Sequence, residues 1–339
     1  MARLYLARSL QRLTNGRPWL ARALAESEAG VLRAAWSLSA RTSPDIAVDR
    51  ARRLLMQVGP RLGKRHDKLV RNLSTAFPKL TADAVEALAR ESWGHIGQVI
   101  AEYPHLPRIC GPDAEERIEI RSEIDLEPIR SGRKPAIFVA AHLANWEMAG
   151  AMASRAGLPL TCVYSPQQNE TIERLLQRQR QALGCSFVDK EAGAAGLVGE
   201  LRRGRSLGIL VDQRYDESDS VPFFGLDAPA PLGPATLAAR LRVPFVPVRV
   251  ERLDHGCRFR ITALAAIEPD RGVGDAREVA RDMTTRLYAL FEAWIRERPE
   301  QWLCLKRRWP DLRRGKWRSM VAENPRLMRS LAGSDGPTP

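Results

Sequence analysis

The sequence contains no uncharged apolar run of the roughly 18 residues that a membrane-spanning helix requires. The opening stretch, MARLYLARSLQRLTNGRPWLARAL, carries five arginines and no acidic residue. Because no continuous apolar stretch follows it, we do not expect a secretory signal. The chain is therefore not expected to span a bilayer, which leaves attachment to a membrane surface open.

Cysteine and acidic residues are both scarce. The five cysteines form no CxxC pair, which favours reduced structural cysteines in a cytosolic compartment and argues against a structural zinc site. Asp and Glu number 40 against 53 Lys and Arg, giving a net charge of +13. Such an excess favours anionic partners, namely nucleic acid, anionic lipid or an acidic carrier protein. The cysteines are Cys110, Cys162, Cys185, Cys257 and Cys304.

The apolar pattern changes near residue 117. Before it, apolar residues recur at three- and four-residue spacing, as in DAVEALARESWGHIGQVIAEY, which predicts helices, one of them with Thr81 as its N-cap. After it, short β-type runs such as IEIRS, AIFVAA, LTCVYS and SLGILVD alternate with helical stretches. This alternation predicts an α/β fold whose mainly parallel central sheet is covered by helices, preceded by a helical N-terminal region.

His142 follows the apolar run AIFVAA, and the carboxylate of Glu147 comes five residues later. In one regular helix this spacing would place the two side chains about 140° apart. We therefore predict that His142 lies in the turn after a strand and that Glu147 reaches back to it from the following helix. A carboxylate within hydrogen-bond reach fixes the tautomer of the imidazole and raises its basicity, as a general base requires. The GxSxG elbow of a serine nucleophile is absent, so this base would activate a substrate hydroxyl; a structural histidine is the alternative.

Polar residues also follow the predicted strand that ends at Val211. They are Asp212, Gln213 and Arg214, and ligands of α/β sheets bind at the carboxyl ends of strands. We predict that they line the same site, with an ordinary solvated turn as the alternative. The VPFFG stretch that follows predicts a loop lining an apolar pocket.

The stretch NETIERLLQRQRQALG predicts an amphipathic helix capped by Asn169. Arg180 falls on its apolar side, where a guanidinium is costly unless an anion or a hydrogen-bond network pairs with it. Arg174 and Arg178 fall on an outward stripe, which suits a solvated or carrier-binding surface. Arg180 is therefore the predicted site residue.

The segment 306–318 holds seven Lys or Arg residues, one acid and two tryptophans, Trp309 and Trp317. Basic charge mixed with tryptophan is typical of a membrane–water interface. Nucleic-acid binding and a merely solvated basic face are the alternatives.

Seven quoted stretches resemble one protein family. HLANWE matches the HxxNWE form of the His-x4-Asp/Glu motif, and RNLSTAFPKLT, VYSPQQN, RQRQALG, ILVDQR, VPFFG and PEQWLCLKRRW are similar to its other motifs, in family order from about residue 64 to 310. The chain thus resembles the bacterial lipid A biosynthesis acyltransferases, the late acyltransferases of the wider glycerolipid acyltransferase superfamily. It departs from them at Leu305 and Lys306, where histidine is usual, and in its charged N-terminus, where many members carry an apolar helix.

The resemblance implies an O-acyltransferase that moves a fatty acyl chain from an acyl thioester to a hydroxyl of a lipid A precursor or a related glycolipid or lysolipid. It implies His142 as the general base and Glu147 as its orienting partner. Arg180 would hold the developing charge of the thioester carbonyl or a phosphate. The implied substrate-binding residues are Asn145, Arg180, Asp212, Gln213 and Arg214.

The resemblance also implies partners and a location. An acidic acyl carrier protein (or acyl-CoA) would be the donor, an anionic glycolipid the acceptor, and no metal or bound cofactor is expected beyond the thioester co-substrate. We expect peripheral attachment to the cytoplasmic face of the bacterial inner membrane and no binding of nucleic acid. The predicted parts are a membrane-facing helical region, 1–115, an α/β acyltransferase core, 116–310, and a basic tail, 311–339, whose end we expect to be disordered.

Two other functions remain open at this point. A thioesterase or other hydrolase would use the same histidine and glutamate on water, and it would consume acyl thioester without a lipid acceptor. A basic nucleic-acid-binding protein would fit the charge, but no helix-turn-helix, zinc-finger or RRM signature is present.

Overall fold

The computed structural model describes residues 17–111, 116–213, 219–270, 272 and 274–310. Within these ranges the chain has the predicted α/β architecture, with a helical N-terminal region ahead of it. The strands are β1 Ile118–Ser122, β2 Ile137–Ala140, β3 Leu160–Tyr164, β4 Ser186–Asp189, β5 Ser206–Leu210, β6 Asp219–Phe223, β7 Leu226–Ala230, β8 Phe245–Arg252 and β9 Phe259–Ala263. The helices are α1 Pro18–Ser39, α2 Pro44–Val58, α3 Lys64–Ala76, α4 Ala82–Glu102, α5 Leu106–Cys110, α6 Glu127–Arg130, α7 Met148–Arg155, α8 Glu170–Arg180, α9 Gly193–Arg202, α10 Gly233–Leu241 and α11 Ala276–Glu297.

Seven strands form the central sheet in the order β1-β9-β8-β2-β5-β3-β4. Their pairings are parallel except that of β8 with β9, which is antiparallel. The strand β2 lies near the middle between β5 and β8, and every residue of its IFVA run is buried. An apolar run of this kind suits a strand that is covered by helices on both faces.

Two apolar clusters cover the two faces of the sheet. One contains Phe138 and Ala140 of β2 and packs against α7, α5 and the C-terminal end of α4. The other contains Ile137 and Val139 and packs against α3, α10, α11 and the N-terminal half of α4. The N-terminal helices therefore contribute to both cores, and the predicted division of the chain at residue 115 stays a prediction.

The helix α4 packs closely on α2 because two glycines face that helix. A Cβ built on Gly97 would lie 2.4 Å from the carbonyl oxygen of Ala51, and one on Gly94 would lie 2.8 Å from Cγ of Met56. A side chain at either position would push the two helices apart.

In the described part of the chain no helix combines the length and the apolar composition needed to cross a bilayer.

The predicted loop at VPFFG is instead part of a β-hairpin formed by β6 and β7. Phe224 and Gly225 make its two-residue turn, with φ angles of 53° and 73°. Such turns usually carry asparagine or aspartate with glycine, so a phenylalanine there hides the hairpin signal. Phe223 and Phe224 are buried in an aromatic cluster rather than lining an open pocket.

The predicted interfacial role of Trp309 is wrong. Its ring is buried at 3% exposure and stacks 5.8 Å from that of Phe223, while Arg308 is buried beside it. This tryptophan is buried in the core because it packs against three other aromatic rings, namely Phe223 and Phe224 of the hairpin and Trp302. The rest of the predicted interface, including Trp317 and the basic tail 311–339, lies outside the described residues.

Candidate active site

The HLANWE stretch forms a turn between β2 and α7, as predicted. The strand ends at Ala140, and α7 begins at Met148 with Glu147 at its N-cap position. Two backbone hydrogen bonds hold the turn against the segment that follows α11: Leu303 N donates to His142 O at 2.9 Å, and Ala144 N donates to Gln301 O at 3.0 Å. His142 is therefore fixed at the carboxyl edge of the sheet.

The carboxylate that binds His142 belongs to Asp212, and the predicted hydrogen bond from Glu147 is wrong. His142 Nδ1 lies 2.6 Å from Asp212 Oδ1, and Asp212 Oδ2 accepts a hydrogen bond from Trp302 Nε1 at 3.1 Å. Burial alone would raise the pKa of Asp212, but the adjacent imidazole holds it below its usual value. This pairing keeps a negative charge against the histidine and favours its role as a base.

Strand register explains why Asp212 reaches His142. The neighbouring parallel strands β2 and β5 align Ala140 with Leu210. His142 and Asp212 each lie two residues beyond these partners, so they leave the sheet side by side. Glu147 instead lies beyond the turn, where its side chain faces α4 and α8.

Glu147 forms a buried ion pair with Arg180, and the prediction that Arg180 faces inward is confirmed. Arg180 Nη2 donates to Glu147 Oε1 at 2.6 Å, and Nε lies 3.1 Å and 3.2 Å from the two carboxylate oxygens. The hydroxyl of Tyr103 donates to the same carboxylate at 2.7 Å. Burial opposes the charge on Arg180, yet Glu147 raises the pKa of Arg180 above its usual value. Burial and the charge of Glu147 together raise the pKa of Tyr103, so its phenol stays protonated.

Comparison with known proteins identifies the family of the chain. The profile of the bacterial lipid A biosynthesis acyltransferases matches residues 30–311 of the chain. The chain belongs to this family. It is 25% identical to the phosphatidylinositol mannoside acyltransferase of Mycolicibacterium smegmatis, over 72% of this chain and 79% of that protein. It is 24% identical to the lipid A biosynthesis palmitoleoyltransferase of Escherichia coli K12, over 75% of this chain and 84% of that protein. The protein is thus an acyltransferase of the lipid A and glycolipid type.

An apolar cavity of about 690 Å³, counted out to its open mouth, adjoins this candidate site. Helices α7 and α8 line one side of it, and strands β2, β3 and β5 line the other. Trp146 connects the cavity to His142, because its ring lies 4.9 Å from that of His142 and also lines the cavity. Glu147 and Arg180 lie in its wall, so the charged pair borders an otherwise apolar space.

Asn145, predicted to bind substrate, has its side chain fully buried on the opposite side of the turn. Its Nδ2 donates to Glu102 Oε2 at 2.8 Å, and its Oδ1 accepts from the backbone of Glu147 at 3.1 Å. Arg252 in turn donates to Glu102 Oε1 at 2.5 Å. The structure therefore gives Asn145 the task of holding the turn; contact with substrate stays a prediction.

Gln213 lies beside His142, with 3.0 Å between the two Nε2 atoms, and its contact with substrate stays a prediction. Arg214 lies outside the described residues. Three of the residues that sequence reasoning missed are polar groups of α4. His95, Gln98 and Glu102 are buried at spacings of three and four residues, and that polar stripe on a helix was the available signal. The other missed residues are Asn72, Tyr103, Trp302 and Lys306.

His95 supports the turn that carries His142, and its burial predicts that folding is sensitive to acid. Its Nε2 donates to the carbonyl of Ala144, whose φ is 48°, at 3.1 Å. Burial and the nearby charge of Arg252 lower the pKa of His95 to about 3. Below the ordinary histidine pKa of about 6.5 the unfolded chain binds a proton that the folded chain rejects. We expect the free energy of unfolding to fall with pH by up to about 1.4 kcal/mol per unit from pH 6.5 towards 3.

Urea unfolding at pH 7 and pH 5 measures this effect. We expect His95→Gln, which keeps a donor for Ala144, to remove about 2 kcal/mol of the wild-type difference between these two pH values. His255→Gln, at an exposed position in the β8–β9 turn, serves as the control and should retain the difference. Equal pH dependence in wild type and His95→Gln would contradict the assignment.

Proposed function

We propose that this acyltransferase moves a fatty acyl chain from an acyl thioester to a hydroxyl of a lipid A precursor or a related glycolipid or lysolipid, with His142 as general base. The observation that carries the proposal is the hydrogen bond between His142 Nδ1 and Asp212 Oδ1. It leaves the proton on Nδ1 and the lone pair on Nε2, which is the tautomer that removes a proton from a hydroxyl. The relatives named for lipid A and for phosphatidylinositol mannoside support an acceptor of the glycolipid class.

The proposed reaction needs one base and one acyl donor. His142 Nε2 takes the proton as the acceptor oxygen attacks the thioester carbonyl carbon. When the tetrahedral intermediate collapses, the carbon–sulfur bond breaks and the imidazolium returns the proton to the departing thiolate. Asp212 stabilises the imidazolium between these steps. No other cofactor or metal takes part in this scheme.

Arg180 is the proposed donor for the oxyanion or for a phosphate of a substrate. Two of its nitrogens hold Glu147, and within the described residues its Nη1 has no hydrogen-bond partner. The Glu147 carboxylate keeps the guanidinium directed at the cavity wall, where burial strengthens its interaction with a negative charge. Glu147 therefore orients Arg180 in this proposal, and it does not orient His142 as the sequence predicted.

The cavity is proposed to hold the acyl chain. Gly208 in β5 faces it, and a Cβ built there would lie 3.2 Å from Cys162 Sγ and 3.6 Å from the methyl carbons of Leu160. We expect Gly208→Val to shift the preferred acyl thioester to chains shorter by roughly two to three methylene groups. The added side chain occupies part of the cavity, and the close-packed residues around it cannot move aside to restore that volume. Competition between thioesters of graded length measures the shift, with Gly199→Val in α9 as a control that adds the same side chain outside the cavity. An unchanged preference in Gly208→Val would reject this cavity as the acyl site.

The proposed partners follow from charge. A net charge of +13 attracts an acidic acyl carrier protein or acyl-CoA, an anionic glycolipid, and a membrane surface that carries anionic lipid. We propose that the enzyme is peripheral on the cytoplasmic face of the bacterial inner membrane. Exposed apolar side chains on α1 and α2, including Trp19, Val31 and Leu54, support contact with lipid.

The function is tested by acyl transfer in the purified protein. The protein is incubated with acyl carrier protein thioester or acyl-CoA, with and without a lipid A precursor or a phosphatidylinositol mannoside, and the products are analysed by mass spectrometry. We expect thioester consumption to depend on the acceptor and to yield an acylated lipid. Thioester consumption at the full rate without acceptor would instead identify a hydrolase.

A further inference from the structure

Two successive hydrogen bonds connect the ammonium group of Lys306 to the imidazole of His142. Lys306 Nζ donates to Gln213 Oε1 at 2.8 Å, and Gln213 Nε2 lies 3.0 Å from His142 Nε2. We propose that Lys306 is a positioning residue for acyl transfer, which fixes the amide of Gln213 and, through it, the tautomer of the base. This inference rests on the proposed function through the role of His142.

The donor and acceptor roles along this chain of groups allow one arrangement. A lysine ammonium can only donate hydrogen bonds, so the atom of Gln213 that faces Lys306 must be the carbonyl oxygen. The NH₂ end of the same amide then faces His142, where it can only donate. His142 Nε2 must therefore be the unprotonated nitrogen, and the ring proton must lie on Nδ1, where it is donated to Asp212.

The backbone at Lys306 is fixed by the fold. Asn72, which is buried in α3, donates from Nδ2 to the carbonyl oxygens of Cys304 at 2.6 Å and Lys306 at 2.7 Å. Leu303, three residues before Lys306, donates a backbone hydrogen bond to the carbonyl oxygen of His142. The side chain of Lys306 is exposed, but its backbone is held rigidly near His142. This reduces the conformational entropy that is lost when Lys306 binds Gln213.

Loss of the ammonium group has a specific consequence for the base. Without Lys306, the Gln213 amide can turn and present its carbonyl oxygen to His142 Nε2, an arrangement that requires a proton on that nitrogen. Among the residues that the structure describes, the charged groups near the imidazole are Asp212 at the end of β5, Lys306 beyond Gln213, and the Glu147–Arg180 pair beyond Trp146. All except Lys306 persist in a Lys306 variant, so the substitution changes only the orientation of the Gln213 amide and removes one positive charge beyond it.

The first test compares Lys306→Met with wild type across the pH profile of kcat/KM. We expect kcat to fall about tenfold, KM for the thioester to stay within about twofold, and the acidic limb to move about one unit to higher pH. Lys306→Arg, which retains a donor, should restore the wild-type profile. Lys79→Met, at an exposed position after α3, removes the same charge and should leave the profile unchanged.

The second test asks whether Lys306 acts through Gln213. In a Gln213→Leu background, Lys306→Met should cause no further loss, whereas a loss as large as in wild type would overturn the proposal and indicate direct contact with substrate. ¹⁵N NMR of histidine-labelled resting enzyme, assigned with His142→Gln, should show Nε2 unprotonated in wild type at neutral pH and protonated in Lys306→Met. A protonated Nε2 in wild type would also overturn it. The spectrum requires no turnover, so absence of wild-type transfer would reject the proposed function separately.

Discussion

We expect His142→Ala to reduce kcat/KM for acyl transfer by about 10³- to 10⁴-fold, because the variant lacks the base that we propose takes the proton from the acceptor hydroxyl. We expect Asp212→Asn to cause a loss of similar size. The variant amide can donate to Nδ1 or accept from it, so it no longer fixes the ring proton there, and it supplies no negative charge to stabilise the imidazolium. Initial rates with saturating acceptor measure both losses.

The contrasting variant for this experiment is Glu147→Gln. If Glu147 held the imidazole, as the sequence predicted, its replacement would mimic Asp212→Asn and change the acidic limb of the pH profile. We expect Asp212→Asn to change that limb and Glu147→Gln to leave it in place while lowering the rate. Retained turnover in purified, folded His142→Ala protein would refute the proposed mechanism.

Arg180→Ala is expected to cause the second large loss, about 10²- to 10³-fold in kcat/KM. It removes the proposed oxyanion donor and leaves the Glu147 carboxylate, 5% exposed, without its ion-pair partner. A buried charge stranded in this way costs about 3–5 kcal/mol of stability. Thermal unfolding should therefore show a lower Tm together with the loss of activity.

Two further variants separate catalysis from stability. Arg178→Ala removes an arginine of the same helix that is outside the ion pair, and it should retain near-wild-type activity and Tm. Arg180→Lys keeps the positive charge but not the forked geometry, so it should recover Tm more than activity. A larger loss from Arg178→Ala than from Arg180→Ala would reverse the assignment of the two faces of α8.

The sequence predicted those parts of the site that depend on local pattern. A buried strand followed by a turn and a helix placed His142 at the edge of the sheet, and the apolar stripe of α8 placed Arg180 inward. Thr81 and Asn169 cap the helices that follow them, as their positions before apolar periodic runs indicated. These features follow from backbone hydrogen bonding and side-chain direction within a few residues, so they are readable without the fold.

Pairings between residues that are far apart in the sequence were harder to predict from it. Spacing favoured Glu147 as the partner of His142 because it was the nearest carboxylate in sequence. Asp212 lies 70 positions after His142 in the sequence, and it is a neighbour of His142 only because β2 and β5 are adjacent in the sheet. The carboxyl ends of both strands had been identified, but the strand order had not.

The amino-acid sequence by itself determined the α/β class, the strand-end position of His142, the family resemblance and the net positive charge. Only the tertiary structure decided which carboxylate supports His142, that Glu147 serves Arg180, that Trp309 is a core residue, and that Lys306 reaches the base through Gln213. The physical reason is the distance along the sequence over which each interaction acts. Helix periodicity and capping act over a few residues, whereas hydrogen bonds and buried ion pairs join whatever groups strand order and packing bring within about 3 Å.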